Sequence, residues 1–417
     1  MLKCGFYEGD ITSNIGDVLP GGFGGRISTM VRDKLYVSAF AAQVNGITSI
    51  TLVLDALMVE EEEANAIKNG ISAQLDIPTD AINVSAIHTH GGGPLVNLYN
   101  DVKRPEYCRF VVARAIDAGI MAYKNLSEAR IGVNKKEVQG ISFSRRYMGT
   151  DGKVHNNPKF MSPDIIGPID DVDRELIVIR VEHLDGTPMG LISNFALHPA
   201  MAHAVEPNGI TADFPGVMRK CIKGKFGPEF PFMFIQGASG NVNHRNAMAP
   251  KSERKTYVEI GEILAKETMD LFEHTATEDA EVLACASSGF VGRTKRPTEE
   301  LIASLNVSDN TRNEMRKAIH LPNEDVAVQV TSVRLGDILI HYLPGEYFGY
   351  YSLYLKKHSI CKHTVICELS NKKIGYICTK EARRMGGYDA SPSSYIIMDE
   401  NAGDLVLDAV KENMEKL

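Results

Sequence analysis

The sequence lacks several features that would place it in a specialised class of proteins. It contains no tryptophan, no Cys-x-x-Cys pair and no run of about 18 apolar residues, the length that a membrane-spanning helix requires. Its seven cysteines are odd in number and scattered, which argues against a disulfide framework and a cysteine zinc knuckle. Positive charge is in deficit, because 53 acidic and 45 basic residues give a formal net charge of −8. This balance argues against broad binding to nucleic acid or anionic membranes.

The remaining composition is that of an ordinary globular protein, with 44% hydrophobic and 24% charged residues. The first ten residues reach the acidic Glu8 and Asp10 before an apolar segment can form, so no signal peptide is expected. We therefore predict a reduced, cytoplasmic protein.

The order of strand and helix patterns predicts an α/β fold. We expect mixed β-sheets flanked by helices, in a single large domain that spans residues 1–417. Asn45-Gly46 separates the apolar runs 35–43 and 49–55, which predicts a hairpin. The opening segment, rich in glycine around 21–25, is expected to be a loop. Helices are expected over 60–75, 104–126, 252–274 and from 402, and further strands over 81–90, 175–183, 189–198, 232–236, 281–290, 327–343 and 364–368.

His88 and His90 stand at the carboxyl end of the strand predicted over 81–90. Side chains two apart in a strand point to the same face, so the two imidazoles are expected to converge on one site. Imidazole suits zinc, and the glycine run that follows lets backbone and substrate approach closely. The alternative is that both residues make ordinary loop hydrogen bonds at a strand end.

His198 repeats this context at the end of the strand predicted over 189–198. Pro199 ends the strand, so the histidine lies where strand becomes loop, a usual position for ligands in α/β proteins. A lone histidine at a strand end is more often structural, and His203 is a weaker candidate in the loop that follows. The repeated context favours His198.

Three other segments contain candidate functional residues, but their sequence patterns are less specific for function. The small-residue loop 237–240 follows a buried strand, and it either faces an anion or oxyanion or is a tight turn that needs glycine. Its sequence lacks the Gly-x-Ser-x-Gly pattern of a nucleophile elbow. Glu346 follows a Pro-Gly turn and would usually be a surface group, whereas Tyr376 and Tyr388 would usually be packing residues.

Six segments together resemble the neutral (non-lysosomal) ceramidase family in its N-terminal catalytic domain, in family order and over nearly the whole chain. They are Gly-x-x-Glu-Gly-Asp-Ile-Thr at 5–12, His-Thr-His-Gly-Gly-Gly-Pro at 88–94, Asn-Phe-Ala-Leu-His-Pro at 194–199, Ala-Asp-Phe-Pro-Gly at 212–216, Phe-Ile-Gln-Gly-Ala-Ser-Gly-Asn-Val-Asn at 234–243 and Leu-Pro-Gly-Glu at 343–346. Six ordered motifs are far more specific than any one of them.

The resemblance implies a catalytic Zn2+ and the residues around it. The zinc ligands carried over from the family are His88, His198, Glu346 and Tyr376. The family's second tyrosine lies twelve residues after the ligand tyrosine, and Tyr388 has that spacing here. His90 is implied beside the metal, as a group that transfers a proton or orients the substrate. The family arginine matches Arg145, with Arg146 as the fallback.

The implied reaction is attack of a zinc-activated water on an amide carbonyl. Arg145 and Tyr388 would stabilise the oxyanion, and His90 would help to protonate the leaving amine. The chain departs from the family loop Gly-Asp-Val-Ser-Pro-Asn, because it has Gly240-Asn241-Val242-Asn243-His244-Arg245. Asn243 replaces the serine, so a serine nucleophile is ruled out at this position.

The favoured hypothesis is a zinc amidase that acts on a small soluble N-acyl substrate. The chain is expected to be a short form without the family's C-terminal β-domain, and it has no tryptophan to anchor at a lipid interface. A second hypothesis keeps ceramide or another N-acyl lipid as the substrate and predicts a large apolar cleft beside the zinc. A third is a non-catalytic metal- or ligand-binding homologue. No nucleic-acid partner and no transmembrane segment are expected, and a homo-oligomer remains open.

Overall fold

The computed structural model describes residues 1–417, and its elements confirm the α/β class with mixed sheets. The strands are β1 (Lys3–Asp10), β2 (Met30–Val31), β3 (Tyr36–Val44), β4 (Ile47–Leu54), β5 (Ile82–Ala86), β6 (Ser127–Glu137), β7 (Phe143–Ser144), β8 (Arg146–Gly149), β9 (Val154–Asn156), β10 (Ile165–Pro168), β11 (Glu175–His183), β12 (Pro188–Phe195), β13 (Gly209–Ile210), β14 (Phe232–Gln236), β15 (Val242–Asn243), β16 (Leu283–Arg293), β17 (Asp325–Leu335), β18 (Ile338–Tyr342), β19 (Glu346–Tyr347), β20 (His363–Cys367) and β21 (Tyr376–Ile377). The α-helices are α1 (Glu61–Leu75), α2 (Pro105–Lys124), α3 (Phe214–Phe226), α4 (Tyr257–Glu273), α5 (Glu299–Ser304), α6 (Asp309–Ala318), α7 (Gly349–Lys357), α8 (Lys380–Met385) and α9 (Ala402–Lys416).

An eight-stranded mixed sheet has the order β14-β12-β11-β6-β1-β3-β4-β5. Most neighbours are antiparallel, but β5 pairs parallel with β4, and β14 pairs parallel with β12. The strand β1 lies inside this sheet, so the loop expected for the whole opening segment is confined to the residues after Asp10. Burial of Cys4 and Phe6 explains why this short stretch becomes a strand.

The predicted hairpin at Asn45-Gly46 is confirmed. Strands β3 and β4 pair antiparallel up to Val44 and Ile47, on either side of the turn. Asn45 has φ +51° and Gly46 has φ +84°, and positive φ at both central residues is the mark of a type I′ turn.

A four-stranded sheet has the order β16-β17-β18-β20 and contacts the larger sheet through β16 and β20. The single strand predicted over 327–343 is wrong, because the chain turns at Gly336-Asp337 and returns as β18. Leu335 therefore pairs with Ile338 across a tight hairpin. Gly336 adopts φ +57°, a conformation that glycine tolerates and that a continuous strand excludes.

Helices cover the sheets and close two apolar cores. Helix α1 packs on α2, which lies against β1 and β3, while α4 lies on β11 and packs against α3. The larger core fills the space around the eight-stranded sheet, and a smaller one lies between the four-stranded sheet and the helices α7 and α9. No helix combines the length and the apolar character that crossing a bilayer requires. The segments that follow β5, β12 and β18 meet at the site described next.

Candidate metal centre and active site

His88 lies in the loop after β5, not within a strand. The strand ends at Ala86, and His88 has φ +72°, in the left-handed region that non-glycine residues rarely occupy. The alternation argument for His88 and His90 was therefore wrong, although the two rings do converge, with centroids 5.2 Å apart. The N–H of His88 donates to the carbonyl oxygen of Ala56 over 3.0 Å, which holds this conformation. Backbone strain of this kind is often found at functional sites.

The His88 ring is fixed by the main chain of the neighbouring loop. Its Nδ1 lies 2.8 Å from the carbonyl oxygen of Leu57, so Nδ1 must carry the proton and donate. In the neutral ring Nε2 then presents a lone pair. A hydrogen bond from the ring nitrogen that does not face the metal usually sets the tautomer of a metal-binding histidine.

His198 and His90 complete a group of three imidazoles, whose nearest ligand atoms all lie within 4.8 Å of one another. His198 follows the end of β12, and its ring centroid lies 4.4 Å from that of His88. Its Nε2 lies 3.3 Å from Nε2 of His90. Burial, followed by the charges of neighbouring groups, lowers the pKa of both rings well below 6.5. Both are therefore neutral at pH 7, the state in which imidazole binds a metal.

Glu346 and Tyr376 are brought together by a short parallel strand pair. β19 pairs with β21 so that Glu346 and Tyr376 are direct partners, thirty positions apart in sequence. Both side chains are buried. The Oε1 of Glu346 accepts a hydrogen bond from the hydroxyl of Tyr395.

The other oxygen of Glu346 faces the histidines. Oε2 lies 3.1 Å from His88 Nε2 and 3.9 Å from His198 Nδ1, and it has no hydrogen-bond donor. Burial alone would raise the pKa of Glu346, but the His88 ring and the other surrounding donors outweigh it and lower that pKa. The contact between Glu346 Oε2 and His88 Nε2 needs a positive charge between the two atoms, which is either a proton on the ring or a bound cation. The residues present therefore fit a bound metal ion.

Arg145 links the histidines to the tyrosines. Its Nη2 donates to His198 Nδ1 over 2.9 Å, and its Nη1 contacts the hydroxyls of Tyr376, at 3.3 Å, and Tyr388. Arg146, the fallback, does not enter this group and instead forms ion pairs with the buried Asp389 and the half-buried Asp170. Because neighbouring residues in β-like backbone point to opposite sides, only one of the two arginines reaches the site.

A cavity of about 550 Å³ borders this group of residues. His90, His198, Arg145, Tyr376 and Tyr388 line it, whereas His88 and Glu346 lie behind this wall. Gly21 also lines the cavity, and a Cβ there would lie 2.6 Å from Nδ1 of His90. The glycine-rich loop is thus needed for the close approach of backbone to the His90 ring.

Comparisons with known proteins identify the fold that carries these residues. No protein-family model matches the sequence. The solved structure of neutral ceramidase from Pseudomonas aeruginosa aligns with a TM-score of 0.78, over 100% of this chain and 75% of that chain, at 15% sequence identity. This chain has the neutral ceramidase fold. A structure of ceramidase complexed with C2 aligns with a TM-score of 0.77 over 100% of this chain and 76% of that chain, at 14% identity. The fold implied by the six ordered segments is confirmed.

Within this ceramidase fold the loop 237–240 is a structural turn. The N–H groups of Gly237 and Gly240 donate to the carbonyl oxygens of Phe195 and Tyr347. The N–H and hydroxyl of Ser239 both donate to a carboxylate oxygen of Glu368. These donors are therefore taken, which favours the tight turn over an oxyanion site. The carbonyl oxygens of Ser239 and Val242 accept from Arg145, so the loop positions that guanidinium.

Several groups that shape the site in the ceramidase fold were missed from the sequence. Tyr395 orients Glu346, the carbonyl of Leu57 orients His88, and Glu368 holds the turn beneath Arg145. A lone tyrosine, a main-chain carbonyl and a glutamate that directly follows a strand carry no local signal of such roles. His203, the weaker candidate, stacks on His90 with ring centroids 5.5 Å apart and lines the cavity.

Proposed function

We propose that the chain is a zinc-dependent amidohydrolase that cleaves the N-acyl bond of a small soluble substrate. The observation that carries the proposal is the buried meeting of His88, His198 and Glu346 beside a cavity lined by Arg145 and Tyr388. Two solved structures that share this fold are ceramidases, which supports the choice of an amide bond.

The proposed zinc ligands are His88, His198, Glu346 and Tyr376. Imidazole nitrogen and carboxylate oxygen are common zinc donors, and catalytic zinc sites keep one position open for water or substrate. When bound, zinc would supply the nucleophile at neutral pH, because it lowers the pKa of a bound water to about 7. His90 also belongs to the imidazole group, but Oε2 of Glu346 contacts His88 and His198 and not His90, so we assign His90 to proton transfer rather than to the metal.

Arg145 and Tyr388 are the proposed oxyanion-stabilising groups. Nη1 of Arg145 donates to the hydroxyl of Tyr388, and both side chains line the cavity, so an entering carbonyl oxygen would accept from the phenol with the guanidinium charge behind it. A guanidinium stays protonated at any working pH, and donors fixed before reaction stabilise developing negative charge strongly. Arg145 is fixed by bonds to the carbonyl oxygens of Ser239 and Val242.

His90 is the proposed proton-transfer group. It is neutral at pH 7 because burial and neighbouring charges lower its pKa, so its ring can accept a proton and pass it to the leaving amine. Its Nε2 lies 3.3 Å from His198, which keeps this atom beside the proposed ligands.

The cavity wall supports a small soluble substrate over ceramide. No leucine, isoleucine, valine or methionine lines it, and its apolar contacts come from alanine and aromatic rings such as Phe23 and Tyr99. A long acyl chain needs an extensive aliphatic surface. Ceramide or another N-acyl lipid is therefore the alternative substrate, and a non-catalytic homologue is the alternative to an enzyme.

The test is metal analysis combined with a hydrolysis screen. Purified chain would be offered N-acyl amino acids, short N-acyl amines, esters and ceramide in detergent, each with and without a chelator. We expect bound zinc and chelator-sensitive hydrolysis of soluble amides, both lost in His88→Ala and retained in His320→Ala, an exposed control. Cleavage of ceramide alone would support the lipid alternative. Bound zinc with no hydrolysis would support the non-catalytic one.

A further inference from the structure

The cavity has a second region, formed by the loop that departs from the family sequence. Asn243, His244 and Arg245 line it, together with Arg254 from the segment before α4. No aspartate or glutamate is among the residues that line the cavity. A chain with a net charge of −8 thus has a pocket whose charged side chains are all cationic.

Arg245 is half-buried and lacks a carboxylate partner. Its Nη2 donates to the carbonyl oxygen of Pro158 over 2.9 Å, and its guanidinium lies 4.5 Å from the centre of the Phe160 ring. Its buried Nε has no hydrogen-bond partner. By contrast, the buried Arg219 binds both oxygens of Asp55.

Arg254 is likewise held by a neutral partner. Its Nε donates to Nε2 of His244 over 2.8 Å, and it forms no ion pair. Burial, then the charges of Arg254 and Arg245, lower the pKa of His244 to about 3. Burial, then Arg26 and Arg254, lower the pKa of His203 to about 4. Both rings are neutral at pH 7, so the positive potential here comes from guanidinium groups.

Two unpaired guanidinium groups in one pocket repel each other and lose hydration, and a bound anion removes both costs. Guanidinium groups bind carboxylate and phosphate in bidentate geometry, more strongly than neutral donors do. A volume of about 550 Å³ is within the range of small-molecule sites, so one small ligand can reach both regions. We propose that the substrate carries an anionic group, a carboxylate or a phosphate, that Arg245 and Arg254 bind while its N-acyl group lies at Arg145 and Tyr388.

This inference rests on the proposed amide hydrolysis and names the class of substrate for that site. The kinetic test uses zinc-loaded chain and two matched pairs of substrates. One pair is an N-acetyl amino acid and its carboxamide, and the other is an N-acetyl amino alcohol with and without an O-phosphate. We expect the anionic member of at least one pair to be preferred by about tenfold or more in kcat/KM, the effect of a charged hydrogen bond. The pair with the larger preference identifies carboxylate or phosphate.

The variants locate the preference. In Arg245→Gln/Arg254→Gln we expect the preference to disappear, because kcat/KM for the anionic member falls. Arg254→Lys should retain part of it, and Arg384→Gln, which removes an exposed charge elsewhere, should retain all of it. Thermal unfolding checks that each variant is folded. If the double variant is not folded, the two single variants Arg245→Gln and Arg254→Gln are used in its place. The inference is overturned if the wild type has the same kcat/KM for both members of each pair. It is also overturned if the double variant keeps the preference.

A binding measurement separates this inference from the proposed function. Calorimetric titration of the zinc-loaded chain with inorganic phosphate should give a Kd that rises about tenfold or more in the double variant and is unchanged in Arg384→Gln. An unchanged Kd in the double variant overturns the anion site. Loss of phosphate binding in the double variant, with no hydrolysis of any amide by the wild type, supports the anion site and contradicts the amidase.

Discussion

The hydroxyl of Tyr395 donates to Oε1 of Glu346 and leaves Oε2 directed at His88 and His198. Tyr395 does not itself reach the histidines, so we interpret it as a positioning residue for a metal ligand. Tyr395 and Glu346 are 49 positions apart in sequence, and only folding brings them together.

Tyr395→Phe should weaken metal binding without removing a ligand. Loss of such a supporting contact usually lowers metal affinity by about 10- to 100-fold. Competition with a fluorescent chelator measures the zinc Kd, and Tyr350→Phe, at an exposed tyrosine, is the matched control. Equal affinity in Tyr395→Phe and the wild type would contradict the positioning role.

His88 and His90 should respond differently to the same substitution. His88→Asn removes a proposed ligand, so zinc content and hydrolysis should both be lost. His90→Asn should keep most of the zinc and lower kcat by about 100- to 10,000-fold, the usual contribution of a proton-transfer group. Elemental analysis and steady-state kinetics on the same samples make the comparison. Zinc loss in His90→Asn, with retention in His88→Asn, would reverse the assignment.

The buried ion pair between Asp55 and Arg219 should contribute strongly to the free energy of unfolding. The two side chains meet through contacts of 2.7 and 3.0 Å, next to Ala56, whose carbonyl oxygen holds the backbone of His88. Asp55→Asn leaves the buried guanidinium with only the longer contact to Glu8, at 3.7 Å, so the free energy of unfolding should fall by about 3 kcal/mol. Urea denaturation measures it. The control is Asp404→Asn, which breaks the exposed pair with Lys380 and should lower the free energy of unfolding by no more than about 1 kcal/mol. An equal decrease in the two variants would contradict this prediction.

His341 should make stability fall in acid. Burial lowers the pKa of its ring from 6.5 to about 3 in the folded chain. Above pH 6.5 both states are neutral and the ring has no effect. As the pH falls below 6.5 the unfolded state gains a proton that the folded state does not, so the free energy of unfolding falls by up to about 1.4 kcal/mol per pH unit.

Urea denaturation in the presence of a chelator, from pH 7 to about 4, measures this slope. His341→Gln should reduce it by about one proton, whereas Val333→Ala weakens the same sheet without removing a titratable group and should leave it unchanged. The same slope in all three chains would show that His341 does not titrate as proposed.

The sequence correctly predicted those elements that are determined by neighbouring residues alone. The Asn45-Gly46 pair predicted the hairpin between β3 and β4. The apolar runs at 175–183 and 232–236 match β11 and β14 in full. Helix α4 was predicted from residue 252, yet it begins at Tyr257. The capping box of Thr256 and Glu259 marks this start, and it is visible in the sequence.

The geometry of the site depends on contacts between residues distant in sequence, and local sequence patterns do not reveal such contacts. The strand-end positions of His88 and His198 drew attention to them, but Glu346, Tyr376 and Arg145 entered through the resemblance to the ceramidase family. The left-handed conformation of His88 and the partners Leu57 and Tyr395 arise only from tertiary packing. The single domain over 1–417, the cytoplasmic location and the oligomeric state stay predictions.

The measurement that tests the central claim most directly is the position of the bound metal. Crystals of the zinc-loaded chain, with anomalous diffraction recorded on both sides of the zinc absorption edge, locate that ion. We predict one anomalous peak per chain, surrounded by His88, His198, Glu346 and Tyr376, with His90 outside the coordination sphere. A peak elsewhere in the chain, or none in a sample that hydrolyses N-acyl substrates, would contradict the account.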